Sequence, residues 1–599
     1  MNEKPGWVWM AGIVLVGIVA FALWGRAGGG PVPPPAGGPT AAGGGRPPEG
    51  AVAISIASSI TKREWLEEAV KLFNAASKSD TSLQVNRKPI FVEVVMEEDA
   101  LQPGTLKHYR SPTQVKDTLA GKIKPTVLSP ADEAWALWLN KEWRATHGGR
   151  DIITSKPQSV AQTPVVIAMW QSRASALDCW PVAGPGCTWE RLRALAGSPT
   201  GWGMLGHPEW GTLKFGYAYV GESDVGTQTA VLLCMSGLKK TAGLTVGEIG
   251  SPSGCGQAIT DVEKAKVRSG TSSPWLLEGM VKSGLDAATT YEKEVIAFNR
   301  DSGPSLREPL VAAYPQDGTV VARHPFAILE GAEWVSPEQA QAARVFQTFL
   351  LSSEQQRKLI DTGMRPADPS VKLDSPIDPV NGANPSANVA TVEVPETLVL
   401  DRIQEVWRQV KKSSVLAIVF DKSGSMAGEK ITAASRGATE FVDRMEGNDW
   451  LVWIPFDDNV YTKTQGWQGE VGERLVGDIK ATPAGGGTAL YDAVARAYRV
   501  LEEQRRVRGK DAGRYGIVVL SDGRDTSSKE TSLALLESML RPSEQDPTGI
   551  QIHTIGIGQD ADDAVLTKIA SSAHGKYWKA KTTTVTEVVN IYLEIAKYY

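Results

Sequence analysis

Histidine and cysteine are scarce in this chain, six and four among 599 residues. No C-x-x-C pair or Cys/His cluster occurs, so the ligand spacing of a zinc site is absent. The sequence also lacks G-x-S-x-G, H-E-x-x-H and a P-loop, which removes the local signatures of hydrolases and kinases; no enzyme is expected. There is no long basic run and the formal net charge is -5, so nucleic acid is not an expected partner. Long apolar runs are missing apart from one, Trp7 to Trp24, which carries no charge. Eighteen residues is the short end of what spans a bilayer, and Trp at both ends suits an aromatic belt. A cleaved signal peptide would have a shorter apolar stretch and a small-residue cleavage site. Residues 1–26 are therefore expected to be an uncleaved signal anchor, a single transmembrane helix that leaves the bulk of the chain outside the cytoplasm.

What is present is ordinary for globular protein, 42% hydrophobic and 22% charged, and the length implies two to four domains. Residues 27–50 are almost all Gly, Pro and Ala; such a segment cannot bury enough apolar surface to fold and is read as a spacer. Cys179, Cys187, Cys234 and Cys255 cluster in the middle of the chain. An even, clustered count is consistent with two disulfides. Three pairings are possible, of which Cys179 with Cys187 and Cys234 with Cys255 close the shortest loops. Disulfides fit an extracytoplasmic location.

The most informative stretch is Val415 to Met426, V-L-A-I-V-F-D-K-S-G-S-M. Six apolar residues have the length of a buried parallel strand, and the run ends abruptly in Asp421, Ser423 and Ser425. Beyond Gly428, Ile431, Ala434, Ala438, Phe441, Val442 and Met445 recur on one face of a helix. Strand, polar loop and helix thus place three hard oxygen side chains at the carboxyl end of a strand, the edge where open α/β sheets hold ligands. Two further segments match: Gly485–Gly487 presenting Thr488 before a helix, and the apolar strand G-I-V-V-L-S-D-G ending at Asp522.

These five positions resemble the metal-ion-dependent adhesion site of the von Willebrand factor type A family, over residues 401–599. The resemblance implies a doubly wound, Rossmann-like fold. It also implies a divalent cation, Mg²⁺ with Mn²⁺ or Ca²⁺ as substitutes, held by Asp421, Ser423, Ser425, Thr488 and Asp522. A protein partner would supply an acidic residue to the metal.

From Ala51 to about residue 370, strands and Ser-capped helices alternate. T-P-V-V-I-A-M-W near residue 163, G-T-L-K-F-G-Y-A-Y-V-G-E-S-D-V-G-T from 211, and the closing helix with its G-M-R-P turn make the region similar to type 2 periplasmic solute-binding proteins. That likeness implies two α/β lobes around a ligand cleft, with Ser58, Ser59, Ser129, Thr227, Tyr291 and His324 as the residues to test. Two Ser-bearing turns suit a small solute or oxyanion; Trp135 and Trp138 are spaced as helix core and are set aside. Residues 371–400 read as a linker, with the helix after it leading into the last domain. The expected protein is bacterial, membrane-anchored and α/β throughout, binding a protein partner through the metal site and a solute in the cleft. A transport component, in which the last domain recruits other subunits, is the alternative.

Overall fold

The computed structural model describes residues 47–98, 106–250, 254–269, 273–282, 284–387, 390–510, 512–540, 548–596 and 598–599. The anchor expected over Trp7–Trp24 lies outside the described residues, as does nearly all of the 27–50 spacer. No helix among the described residues is long and apolar enough to cross a membrane.

The first lobe begins with β1 (Val52–Ser58), whose alternate residues Ile54 and Ile56 are buried, followed by α1 (Arg63–Ala76). Trp65, Leu66, Ala69, Val70 and Phe73 form the buried stripe of α1, the helical spacing that drives an amphipathic helix onto a sheet. β2 (Lys88–Glu98) and β3 (Val127–Ser129) flank β1 in parallel, and α2 (Glu133–Thr146) follows, capped by the Asp132 carboxylate on Ala134 N. β4 (Gln158–Trp170) is long because it serves both lobes. The first part of β4 pairs with the strand at Val321–Ile328, and its last six residues, Val165 to Trp170, pair with strands of the second lobe. The expected crossing near residue 163 is thus a strand shared by two hydrophobic cores.

The second lobe is built on α3 (Asp224–Leu238), β5 (Ala287–Tyr291) and β6 (Leu310–Ala313), and the strand β7 (Val321–Ile328) returns from it to pair with β3 of the first lobe. α3 is buried nearly all round, as expected of a helix enclosed by sheet and neighbouring helices. Both disulfides lie in this lobe, Cys179–Cys187 and Cys234–Cys255. The lobes are closed upon each other. Ser111 Oγ donates to Asp224 Oδ2 (3.0 Å), Trp135 Nε1 donates to Asp224 Oδ1, and Gln228 Nε2 donates to Asp132 Oδ2 (2.8 Å).

Between the two parts, residues 371–387 and 390–400 are packed rather than loose. Ile377 and Ala383 are buried against Ile296 and Ile360, and Thr391 bridges to Thr319. The helix α4 (Thr397–Val410), read from sequence as the start of the last domain, lies against the second lobe. Val399, Ile403, Val406 and Trp407 enter that lobe's core. The physical reason is plain: a strongly amphipathic helix buries its stripe against whichever apolar face is available, and periodicity does not name the partner.

Four residues after α4, β8 (Ser414–Asp421) opens the last sheet, with every residue buried. α5 (Glu429–Arg444), β9 (Trp450–Phe456), β10 (Gln465–Trp467), α6 (Leu490–Arg508), β11 (Arg514–Ser521), β12 (Gln551–Ile557), β13 (Tyr577–Ala580) and α7 (Val585–Ala596) complete it. Strand order is β10-β9-β8-β11-β12-β13, parallel except for the β10 edge. Leu416, Ile418 and Phe420 face α5 and α7, whereas Val415, Ala417 and Val419 face α6. With a side-chain period of two, a strand apolar at every position requires cover on both faces, which makes the sheet doubly wound.

Candidate functional site

Two places in the molecule gather chemistry, and the first is at the carboxyl edge of β8. The Asp421 carboxylate closes that strand, accepting from Ser423 N (2.8 Å) and Ser521 Oγ (2.5 Å). These two bonds fix the turn that follows. Burial pushes the Asp421 carboxyl above its usual range, with the bonds from Ser423 and Ser521 opposing. The Thr488 loop is tied to this turn through backbone, Gly424 N to Gly486 O (2.9 Å) and Gly485 N to Lys422 O (2.7 Å). Gly486 adopts φ +82°, a conformation glycine reaches freely, and a Cβ there would press on Asp457 and Asp458.

The five expected residues come together here. Ser423 Oγ lies 3.1 Å from Ser425 Oγ, and Ser425 Oγ donates to Asp522 Oδ1 at 2.8 Å. Thr488 Oγ1 is brought to the same corner: one point, the position a Cβ on Gly523 would take, is 3.9 Å from both Ser425 Oγ and Thr488 Oγ1. Sequence reading missed Lys430, on the first turn of α5, whose ammonium pairs with Asp522 Oδ2. Lys422 likewise pairs with Asp457 beside the loop. Among the described residues no group of three or more His, Cys, Asp or Glu side chains gathers. The cluster at β8 is two carboxylates and three hydroxyls instead.

The second place is the interface of the lobes. Ser58, Ser59, Ser129 and His324 meet, but around a residue that the motif search passed over, Lys62. Its ammonium donates to Ser129 O (2.6 Å), Ser59 Oγ (3.1 Å) and Pro130 O (3.3 Å), and lies 3.5 Å from His324 Nδ1. Burial draws Lys62 down to about 7 and holds His324 well below the usual histidine range. Ser129 Oγ donates to Pro325 O and Ser58 Oγ to Ser59 O, so these two hydroxyls are engaged within the protein. Tyr291 and Thr227 stand apart from that cluster. Tyr291 donates to Gln228 Oε1, and Thr227 bonds backbone at Gly221 and Ser223. A cavity of about 330 Å³ runs past Ser59, Arg110, Ser111, Asp224, Tyr291 and Lys293.

Asp132, also between the lobes, gives a testable pH effect. It is 3% exposed, burial raises its carboxyl to about 7, and no lysine or arginine opposes the shift. An unfolded Asp titrates near about 3.9. The folded chain therefore keeps a proton that the unfolded chain has released, and this stabilisation is complete below about pH 4 and lost as pH rises toward 7. The thermal midpoint should fall between about pH 4 and 7, and Asp132→Asn should flatten that fall. Parallel profiles for the two proteins would show that Asp132 is not responsible.

Against this geometry the comparisons with known proteins are clear about family. The model of the bacterial extracellular solute-binding protein family matches residues 54–365, and that of the von Willebrand factor type A domain matches residues 416–591. Uncharacterized protein sll0103 of Synechocystis is 28% identical over 160 residues, 27% of this chain and 36% of its own length. Uncharacterized protein MT1884 of Mycobacterium tuberculosis is 23% identical over 467 residues, 73% of this chain and 64% of that protein. The chain thus spans less than two thirds of the curated relatives it matches first. Among solved structures, a von Willebrand factor type A protein from Catenulispora acidiphila has TM-score 0.28 and 19% identity, covering 31% of this chain and 42% of that one. An ABC transporter structure from Clostridium perfringens has TM-score 0.39 and 12% identity, covering 60% of this chain and 99% of that one. The chain belongs to the bacterial extracellular solute-binding protein family through residues 54–365, and it continues into a von Willebrand factor type A domain at residues 416–591.

Proposed function

We infer that the protein is a membrane-anchored, extracytoplasmic binding protein that engages a protein partner through a Mg²⁺ site at the β8 edge and captures a small solute between its lobes. The observation that carries the metal reading is the spacing of the hydroxyls. In an octahedron with oxygens about 2.0–2.1 Å from Mg²⁺, neighbouring oxygens lie about 2.9 Å apart. The separations Ser423 Oγ to Ser425 Oγ and Ser425 Oγ to Asp522 Oδ1 are 3.1 and 2.8 Å. Calcium, with ligands at about 2.3–2.6 Å, would require the same oxygens to spread.

Ser423, Ser425 and Thr488 would bind through their hydroxyls, Asp522 directly or through water. Asp421 orients the turn by accepting from Ser423 N and Ser521 Oγ. Lys430 neutralises the outer oxygen of Asp522. A bound cation supplies an electrophilic position at which the partner's carboxylate completes the coordination, so binding rather than catalysis is the outcome. The anchor is assigned to Trp7–Trp24 on its uncharged apolar length.

Calorimetric titration of Mg²⁺, Mn²⁺ and Ca²⁺ into the full chain tests this. Saturable binding with Mg²⁺ or Mn²⁺ tighter than Ca²⁺ is expected, and Thr488→Ala should weaken it by about tenfold, the scale of losing one oriented ligand contact. Binding that ignores Thr488→Ala would place the metal elsewhere.

A further inference from the structure

A second cavity lies between the lobes, of about 340 Å³ and distinct from the one beside the serine cluster, although Asp224 lines both. Its walls come from three parts of the chain. The first lobe contributes Asp132, Trp135 and Trp138, the second contributes Asp224 and Gln228, and α4 with the end of α5 contributes Gln404, Arg408 and Arg444. α4 is seated firmly in this position. Gly221 approaches it so closely that a Cβ would collide with the Gln404 amide, and the Lys141 ammonium lies 3.6 Å from Asp401.

The cavity carries charge of both signs. Inside are Asp132 and Asp224, buried carboxylates whose bonds come from neutral donors, namely Ala134 N, the Gln228 amide, the Ser111 hydroxyl and the Trp135 indole. Burial pushes both carboxyls up; at Asp224 the charges of Lys62 and Arg110 oppose that shift without cancelling it. Beside them stand Trp135 and Trp138, half-buried with ring centroids 5.6 Å apart. Aromatic faces next to carboxylates attract organic cations. Nearer the surface the lining is mixed in sign, with Lys116, Glu222 and Asp401 beside the exposed guanidiniums of Arg408 and Arg444; Arg444 lies 3.4 Å from Glu222, and Arg408 has no ion pair among the described residues. A guanidinium fork favours a carboxylate.

Resting on the reading of residues 54–365 as a solute-capturing module, we propose that this cavity takes a zwitterionic solute of amino-acid size, its cationic group toward Asp132, Asp224 and Trp135 and its carboxylate toward Arg408. The volume is at the lower end of the range for small-molecule sites and holds one such molecule. A solute there touches both lobes and the helix that leads into β8.

The test is calorimetric titration of the full chain with glycine betaine and the twenty L-amino acids. Choline, propionate, sulfate and glucose serve as probes that lack one charge, carry two negative charges, or carry none. At least one zwitterion should bind saturably, with choline and propionate at least tenfold weaker. Trp135→Ala and Arg408→Ala should each weaken the zwitterion by tenfold or more. Arg408 is exposed and supports no core packing, so its variant remains informative if Trp135→Ala misfolds. Sulfate or glucose binding alone, or zwitterion binding indifferent to Arg408→Ala, would overturn this assignment while leaving solute capture standing. Saturable binding of none of the probes would overturn both.

Discussion

Glu263→Ala is expected to destabilise the protein by about 3–5 kcal/mol, the cost of stranding the partner of a buried ion pair. Glu263 is buried at the junction of the second lobe, α4 and the last domain. Oε1 accepts from Lys266 Nζ (2.8 Å), Trp407 Nε1 (3.1 Å) and the Tyr217 hydroxyl, and Oε2 accepts from Lys412 N (3.2 Å). Burial alone would raise this carboxyl, but Lys266 and Arg514 override it and hold it down to about 2. Lys266 is fully enclosed, with its ammonium 4.0 Å from the centre of the Tyr217 ring. Removing the carboxylate leaves Lys266, which burial already draws down to about 7, and three further donors facing a site that water does not reach. Glu263→Gln, which keeps an acceptor and loses the charge, should cost less. Denaturant midpoints of the full chain measure both. A change below about 1 kcal/mol for Glu263→Ala would mean that the junction relaxes to admit water.

That junction also explains which parts of the structure the sequence disclosed. Asp421, Ser423 and Ser425 were legible because their placement is local: an apolar strand ends, a short loop follows, and a helix begins. Thr488 and Asp522 were legible for the same reason, since each ends or follows a strand in a sheet whose order brings those ends together. Lys62 was not, although it lies only three residues beyond Ser59. Nothing in spacing reveals that its ammonium folds back into the turn and takes the position at Ser59 expected of a ligand. Trp135 and Trp138 share a helix face with Leu139, which does enter the core; whether a Trp on such a face meets core or cavity depends on the opposing lobe. α4 is the clearest case. Its stripe was visible, but its partner was a surface assembled from residues far away in the chain.

The other large effect concerns the β8 edge, where charge and architecture can be separated. Asp421→Ala would confuse the two, because it leaves Ser423 N and Ser521 Oγ without an acceptor in a buried turn, at about 1–3 kcal/mol for each group. Asp421→Asn keeps an oxygen for one donor and nearly the same volume while removing the charge. If the site holds Mg²⁺, that charge matters far more to the cation than to the turn, since a small hard ion depends on formally negative oxygens nearby. Asp421→Asn should therefore lower Mg²⁺ affinity by about a hundredfold, about 2.7 kcal/mol, with a thermal midpoint in chelator within a few degrees of the parent. Capture of a carboxylate-bearing partner should disappear with it. Lys430→Ala gives the opposite sign. With the ammonium gone from Asp522 Oδ2, the uncompensated carboxylate should bind Mg²⁺ more tightly than the parent does, and calorimetry reads both variants on one scale. Equal affinities across parent, Asp421→Asn and Lys430→Ala would remove the metal from this edge altogether.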